Sequence, residues 1–278
     1  MRKYTLHALF FTGLFFLSNY CIAQSLRYQV ALPYISLGAY TTQQNDPFSF
    51  VNNQAALAQT KVAGVGVYGE RRFMLSENSA YGLAAAIPTG LGNIGLSVNY
   101  AGFTNFNENK IGLAYARSLG SKLDLGVQFN YYGYKVPVYG NASAINFEIG
   151  AIMHISDKLN AGIHAYNPAG GKLGKTGDEK LAAAYKFGVG YDASDNFYVS
   201  TELVKEEGKP INAIGGIQYQ FMKQFFARVG FMSETGSAYG GVGLSWNNLR
   251  LDATGSYHPQ LGFSPGLMLI VNFKKSAK

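Results

Sequence analysis

The stretch Leu123–Tyr134 constrains this chain more than any other. Leu123, Leu125, Val127, Phe129 and Tyr131 alternate with Asp124, Gly126, Gln128, Asn130 and Tyr132. Successive side chains of a strand point to opposite faces, so one face is apolar and the other polar or small. The same pattern recurs almost to the C-terminus, with turn residues between copies. Roughly ten alternating residues per copy is the length that crosses a bilayer as a tilted strand.

Composition agrees. Hydrophobic residues make up 47% of the 278 and charged residues only 14%, against about 25% charged in a typical soluble domain. Aromatics reach 14% and glycines number 34. No run after residue 23 is long and apolar enough for a spanning helix. The expected fold is all-β: a transmembrane antiparallel β-barrel of about fourteen strands, with a short N-terminal helical or plug segment.

Residues 1–23 read as a secretory signal. Arg2 and Lys3 form the positive start, Leu9–Leu17 the apolar core, and Cys21-Ile22-Ala23 places small residues before a cleavage at Gln24. A lipoprotein reading with Cys21 lipidated is opposed by Tyr20, where a small residue would be needed. Removing 23 of the 278 residues leaves 255 and no cysteine, so neither disulfides nor thiol catalysis are expected. Arg2 and Lys3 leave with the signal, taking the formal charge from +7 to +5. No dense basic run with interleaved aromatics points to nucleic acid.

Residues 24–60 alternate poorly. Within them Asp46 to Ala58 predicts a turn and a short helix, with Asp46 as cap and Pro47 at the first helical position. This segment is either a tether packed on the rim or a plug in the lumen. Residues 61–278 form the barrel. Candidate strands are approximately 62–70, 79–88, 93–103, 110–118, 123–135, 144–156, 159–167, 179–192, 196–205, 210–222, 225–234, 238–247, 249–258 and 265–273. Tight turns at 120–122, 157–158, 194–195, 223–224 and 247–248 alternate with longer loops at 104–109, 137–143, 167–178, 206–209 and 258–264. That asymmetry suits an outer-membrane barrel of a Gram-negative bacterium with periplasmic turns. An even strand count puts both termini on the periplasmic side. Tyr191, Phe197, Phe221, Phe225 and Trp246 flank the tight turns as an interfacial girdle. The last strand, Gly266–Phe273, ends on an aromatic like the signal read by barrel-assembly machinery, with Lys274–Lys278 as an extra tail.

A helix near the mature N-terminus, about fourteen strands and a secretory signal resemble the FadL-like barrels. Asn53-Gln54-Ala55-Ala56-Leu57-Ala58 is similar to the Asn-Pro-Ala-x-Leu-Ala type motif of the PorV/PorQ-like outer-membrane proteins of the Bacteroidota, with Gln54 in place of proline. Leu37-Gly38-Ala39 and Asp46 match that family's upstream segment and turn. The PorV/PorQ likeness implies an accessory or interaction subunit of a secretion machine of the type IX kind, with a larger secretion component as partner. The FadL likeness implies the alternative, a channel for hydrophobic small molecules. Either would also meet outer-membrane lipid, lipopolysaccharide and the assembly machinery.

Alternation places Asp124, Glu148, His154, His164, Lys186, Glu202, Arg228, Arg250 and Asp252 in the lumen. Both signs are present, which predicts a mutual salt-bridge network, because an unpaired buried charge is costly. Small inward residues (Gly126, Gly150, Gly162, Gly188, Gly216, Gly243) leave room for a plug. His154 and His164 lie on adjacent strands but out of register, and no Cys or His cluster completes a metal site. No Gly-x-Ser-x-Gly surrounds a serine, and His258-Pro259 follows Asp252 and Ser256 without a nucleophile set. Gly170–Thr176 ends in Gly-Lys-Thr, but a strand follows where a phosphate-binding loop needs a helix. No catalysis and no cofactor are expected.

Overall fold

The computed structural model describes residues 38–136, 140–173 and 179–273. The signal expected at 1–23, the segment up to Leu37 and the tail Lys274–Lys278 lie outside the described residues. So does part of the Gly170–Thr176 loop.

Fourteen antiparallel strands close into a barrel. They are β1 Gly64–Arg71, β2 Ser79–Thr89, β3 Gly92–Phe103, β4 Phe106–Leu119, β5 Leu123–Val136, β6 Gly140–His154 and β7 Leu159–Tyr166. A two-stranded ribbon, β8 Lys172–Leu173 with β9 Glu179–Lys180, then interrupts the wall. The barrel resumes with β10 Ala184–Ser194, β11 Phe197–Glu206, β12 Ile211–Gln220, β13 Phe225–Met232, β14 Ser237–Trp246, β15 Leu249–His258 and β16 Gly262–Asn272. β10 pairs directly with β7, and β1 pairs with β16 from Gly64↔Asn272 to Glu70↔Gly266. Closure leaves no open edge, as the interior of a bilayer requires.

The alternation of β5 is laid out in space as its sequence reads. Leu125, Val127, Phe129 and Tyr131 are exposed outward, while Asp124, Gln128, Asn130 and Tyr132 are each 1% exposed inside. The other strands repeat this, so the outer wall is a continuous apolar belt that water would not tolerate and acyl chains would. Tyr191, Phe221, Phe225 and Trp246 are exposed around one end, with Phe221 and Phe225 stacked at 6.1 Å. Tyr81, Tyr100, Phe103, Phe106, Tyr257 and Phe263 ring the other end. Girdles at both ends mark two interfaces. Among the described residues no helix is long and apolar enough to cross a membrane.

Several expected boundaries move. The loop expected at 104–109 is a two-residue turn, because Phe103 pairs with Phe106 and β4 starts four residues earlier than its alternation suggested. Gly102 makes this possible. Its φ is +109°, and a Cβ there would collide with the Phe106 carbonyl. The strand expected at 179–192 is divided, with 179–180 in the ribbon and the barrel strand starting at Ala184. β6 starts at Gly140, shortening the loop expected to run to Ser143. The contrast between short turns and long loops therefore narrows to the connections at 72–78 and 167–183. The last strand ends at Asn272, and the Phe273 N–H still donates to the Ala63 carbonyl at 2.7 Å.

Candidate functional site in the plugged lumen

Residues 38–60 lie inside the barrel. The short helix expected from Asp46 to Ala58 is two pieces: α1, Ser49–Asn52, and a 3-10 helix, Gln54–Gln59. Asp46 Oδ1 accepts from the Phe48 N–H at 2.9 Å and so ties the turn before α1. The chain breaks at Asn53, which is extended, and its Oδ1 accepts from the Ala55 N–H to cap the second piece. The break lets Asn53 Nδ2 donate to the Ile163 carbonyl on β7.

Inward glycines shape the seat. A Cβ at Gly126 would overlap the backbone of Gln54 and Ala55, and one at Gly150 would overlap the Asn53 side chain. Cβ atoms at Gly162 and Gly188 would strike the Tyr40 ring. Gly243 differs from the expectation for these residues, since its space is filled by the Phe226 ring and Asp252 rather than by the plug. The apolar side of the plug, Phe48, Phe50, Val51 and Leu57, packs on Tyr68, Met268, Ile270 and inward alanines of β2 and β4.

The nine lumen charges named from the sequence resolve into groups, each holding the plug. Around Glu148, Oε2 accepts from Gln54 Nε2 at 2.8 Å and lies 3.0 Å from His164 Nε2. Its Oε1 takes Lys110 Nζ at 3.1 Å and Asn130 Nδ2 at 2.9 Å. Around Asp124, Oδ2 takes Gln59 Nε2 at 2.6 Å and faces His154 Nε2 at 2.8 Å. Arg250 bridges Asp46 at 2.9 Å and Asp252 at 2.7 Å, and Arg228 lies 3.3 Å from the same Asp252 oxygen. Glu202 Oε2 accepts from Tyr40 Oη at 2.9 Å and Asn52 Nδ2 at 2.8 Å, and Lys186 Nζ donates to Asn52 Oδ1 at 2.5 Å. Burial pushes the Tyr40 phenol well above its ordinary range, and the neighbouring Glu202 adds to this. Tyr40 therefore stays a hydrogen-bond donor.

Of the motif Asn53-Gln54-Ala55-Ala56-Leu57, every side chain is buried in the lumen. Asn93 of β3 donates to the Leu57 carbonyl at 2.7 Å and secures the end of the 3-10 helix. His154 and His164 serve different carboxylates, and among the described residues no three His, Cys, Asp or Glu side chains gather as a metal site would need. Sequence reasoning missed Lys110 and Glu108. Glu108 is buried and accepts from Tyr132 Oη at 2.6 Å. Both lie on the stretch of β4 assigned to a loop or its edge. Asp192 was missed too, although its alternation with Tyr191 points it inward, where it holds Thr41 and Thr42.

The plug divides the lumen. On the side of the 207–210 and 233–236 loops lies a cavity of about 190 Å³. Val204, Ile214 and Met232 form its wall, and Asn52, Lys186 and Glu202 its floor. Its rim carries the Lys209–Glu206 pair at 3.3 Å. On the tight-turn side a wider recess of about 380 Å³ is lined by Gln59, Lys122, His154 and Asn160.

No protein-family model matches the sequence, and no curated protein matches it. Solved structures do match the fold. The toluene transporter TodX of Pseudomonas putida superposes with a TM-score of 0.62 at 8% identity, over 82% of this chain and 94% of TodX. A FadL homologue of Pseudomonas aeruginosa gives 0.59 at 11% identity, over 86% and 95%. The toluene transporter TbuX of Ralstonia pickettii gives 0.55 at 11% identity, over 81% and 92%. At such identities the likeness is one of fold: that of FadL-type outer-membrane barrels.

Proposed function

We propose that this protein is a non-enzymatic outer-membrane channel for small hydrophobic molecules, held closed by its N-terminal plug. In this reading the loop end faces outward and the tight turns and both chain ends are periplasmic. Its surroundings are lipid and lipopolysaccharide, and its biogenesis passes through the barrel-assembly machinery. The cavity above the plug carries the proposal. Its apolar wall of Val204, Ile214 and Met232 opens at the loop end and stops on Asn52 of the plug beside Lys186 and Glu202 of the barrel wall. Concave, mostly apolar sites with a few convergent polar groups are where small molecules bind. The FadL-type fold, including two toluene transporters, supports the same reading. A fold alone does not decide function, and here the cavity supplies the site.

The accessory-subunit expectation gains less support. It rested on the family likeness, on compact loops and on small inward residues; of the likeness, Asn53 to Leu57 are buried against the barrel's own inner wall, where they hold the plug rather than offer a surface to a partner.

The test is uptake of radiolabelled toluene by a Gram-negative host that makes the protein, compared with the same host carrying an empty vector. Uptake several-fold faster, returning to background in Ile214→Trp, is expected. Equal uptake with and without the barrel would overturn the proposal.

A further inference from the structure

The floor of the outer cavity has a feature that a purely hydrocarbon site does not need. Glu202 is 1% exposed. Both of its donors, Tyr40 Oη and Asn52 Nδ2, reach the same oxygen, Oε2. The other oxygen, Oε1, is buried without a hydrogen-bond partner among the described residues. Its cation, Lys186 Nζ, stands 4.0 Å away, beyond hydrogen-bonding distance. A buried acceptor left unmade carries the full cost of its desolvation, more so on a carboxylate. Glu202 lines the cavity and Val204, two residues on along the same face of β11, begins its apolar wall.

We propose that this cavity takes a neutral, one-ring or short-chain hydroxyl compound, a phenol or small alcohol, whose hydroxyl donates to Glu202 Oε1. The assignment rests on the channel reading and narrows its substrate class. Three properties of the site select this chemistry. The missing partner is a donor, so a pure hydrocarbon leaves Oε1 unsatisfied. Glu202 is offset by Lys186 at 4.0 Å, so the floor has little net charge to draw in an ionic head, and an uncharged donor fits best. The size fits as well: an apolar cavity of about 150 Å³ holds benzene, and the 190 Å³ here has room for one ring with a substituent. Met232 in the wall is an unbranched thioether that adapts to a ring edge.

Toluene and p-cresol differ by one hydroxyl and make the matched probes. Equilibrium dialysis of each radiolabelled compound against the detergent-purified full chain measures both affinities. The wild type is expected to bind p-cresol about tenfold or more tightly than toluene, as one hydrogen bond to a charged group provides. In Glu202→Gln the ratio is expected to fall towards one. Ile214→Trp, cross-strand from Glu202, fills the cavity and should abolish binding of both. If Glu202→Gln fails to fold, the wild-type ratio and Ile214→Trp still decide. Equal wild-type affinities, a ratio unchanged in Glu202→Gln, or binding insensitive to Ile214→Trp would each overturn the assignment. Toluene uptake that persists while p-cresol shows no preference would overturn the hydroxyl assignment alone. Loss of uptake itself would remove the channel reading beneath it.

Discussion

A single methyl group placed at Gly126 should unseat the plug. The Cβ of alanine there would overlap the Gln54 carbonyl and lie 2.6 Å from the Ala55 nitrogen. Both are backbone atoms, with no flexible side chain to swing aside. The turn that must retreat carries three bonds to the wall: Gln54 to Glu148, Gln59 to Asp124 and Asn53 to the Ile163 carbonyl. Two of these reach carboxylates, worth about 1.5–3 kcal/mol each, and the third is neutral and worth about 1 kcal/mol. Together they hold this turn on the wall by about 4–7 kcal/mol, so a displaced turn is about one in a thousand or rarer in the wild type. Displacing the turn forfeits most of that preference. Gly215→Ala is the control, since its Cβ would meet only the Ser200 carbonyl, at 3.9 Å. Conductance of single barrels in planar bilayers reads the outcome. Wild type and Gly215→Ala should stay closed, and Gly126→Ala should show openings. A Gly126→Ala barrel as closed and as stable as the control would refute the argument that this glycine makes the seat.

The two faces of β5 should respond differently to one charge. Phe129→Lys, at the middle of the apolar belt, should cost about 2–4 kcal/mol of folding free energy in lipid vesicles, whereas Gln128→Lys points into the lumen beside Glu148 and should cost less. Urea titrations followed by the mobility shift of the folded barrel measure both, and equal losses would disprove the register. Arg250→Met should leave Asp46 without its cation and Asp252 with Arg228 alone. Breaking such a buried pair costs about 3–5 kcal/mol, part of which Asp46→Asn in the same chain should restore. A double variant no more stable than the single one would show that the Arg250–Asp46 contact does not hold the plug.

The barrel was legible because a strand has a period of two and a membrane has two sides. Any strand crossing lipid must be apolar at every second residue, so residues such as Leu125, Val127 and Phe129 declare the fold and the outward face together. Inward charges followed from the same register, as Lys186 and Glu202 did from Tyr185 and Leu203. Where the register was lost, so were the residues. Ending β4 at 110 hid Glu108, because a two-residue turn built on a left-handed Gly102 leaves no mark of its own length in the alternation.

The plug shows the other limit. Residues 38–60 do not alternate, and their short sequence leaves a rim tether and a lumen plug equally open. What decides is which atoms meet: glycines 126, 150, 162 and 188, far apart in the chain, leave one continuous hollow only after fourteen strands have closed. Asn52, Gln54 and Gln59 then find carboxylates or an ammonium on strands 90 or more residues away in several cases, contacts that no local pattern encodes. The second oxygen of Glu202, ion-paired with Lys186 at 4.0 Å but without a hydrogen-bond donor, belongs to the same class. Alternation determined that a carboxylate would face the lumen at 202. Only the packing of Tyr40 and Asn52 against one side of it decided that the other side would be left without a hydrogen-bond donor.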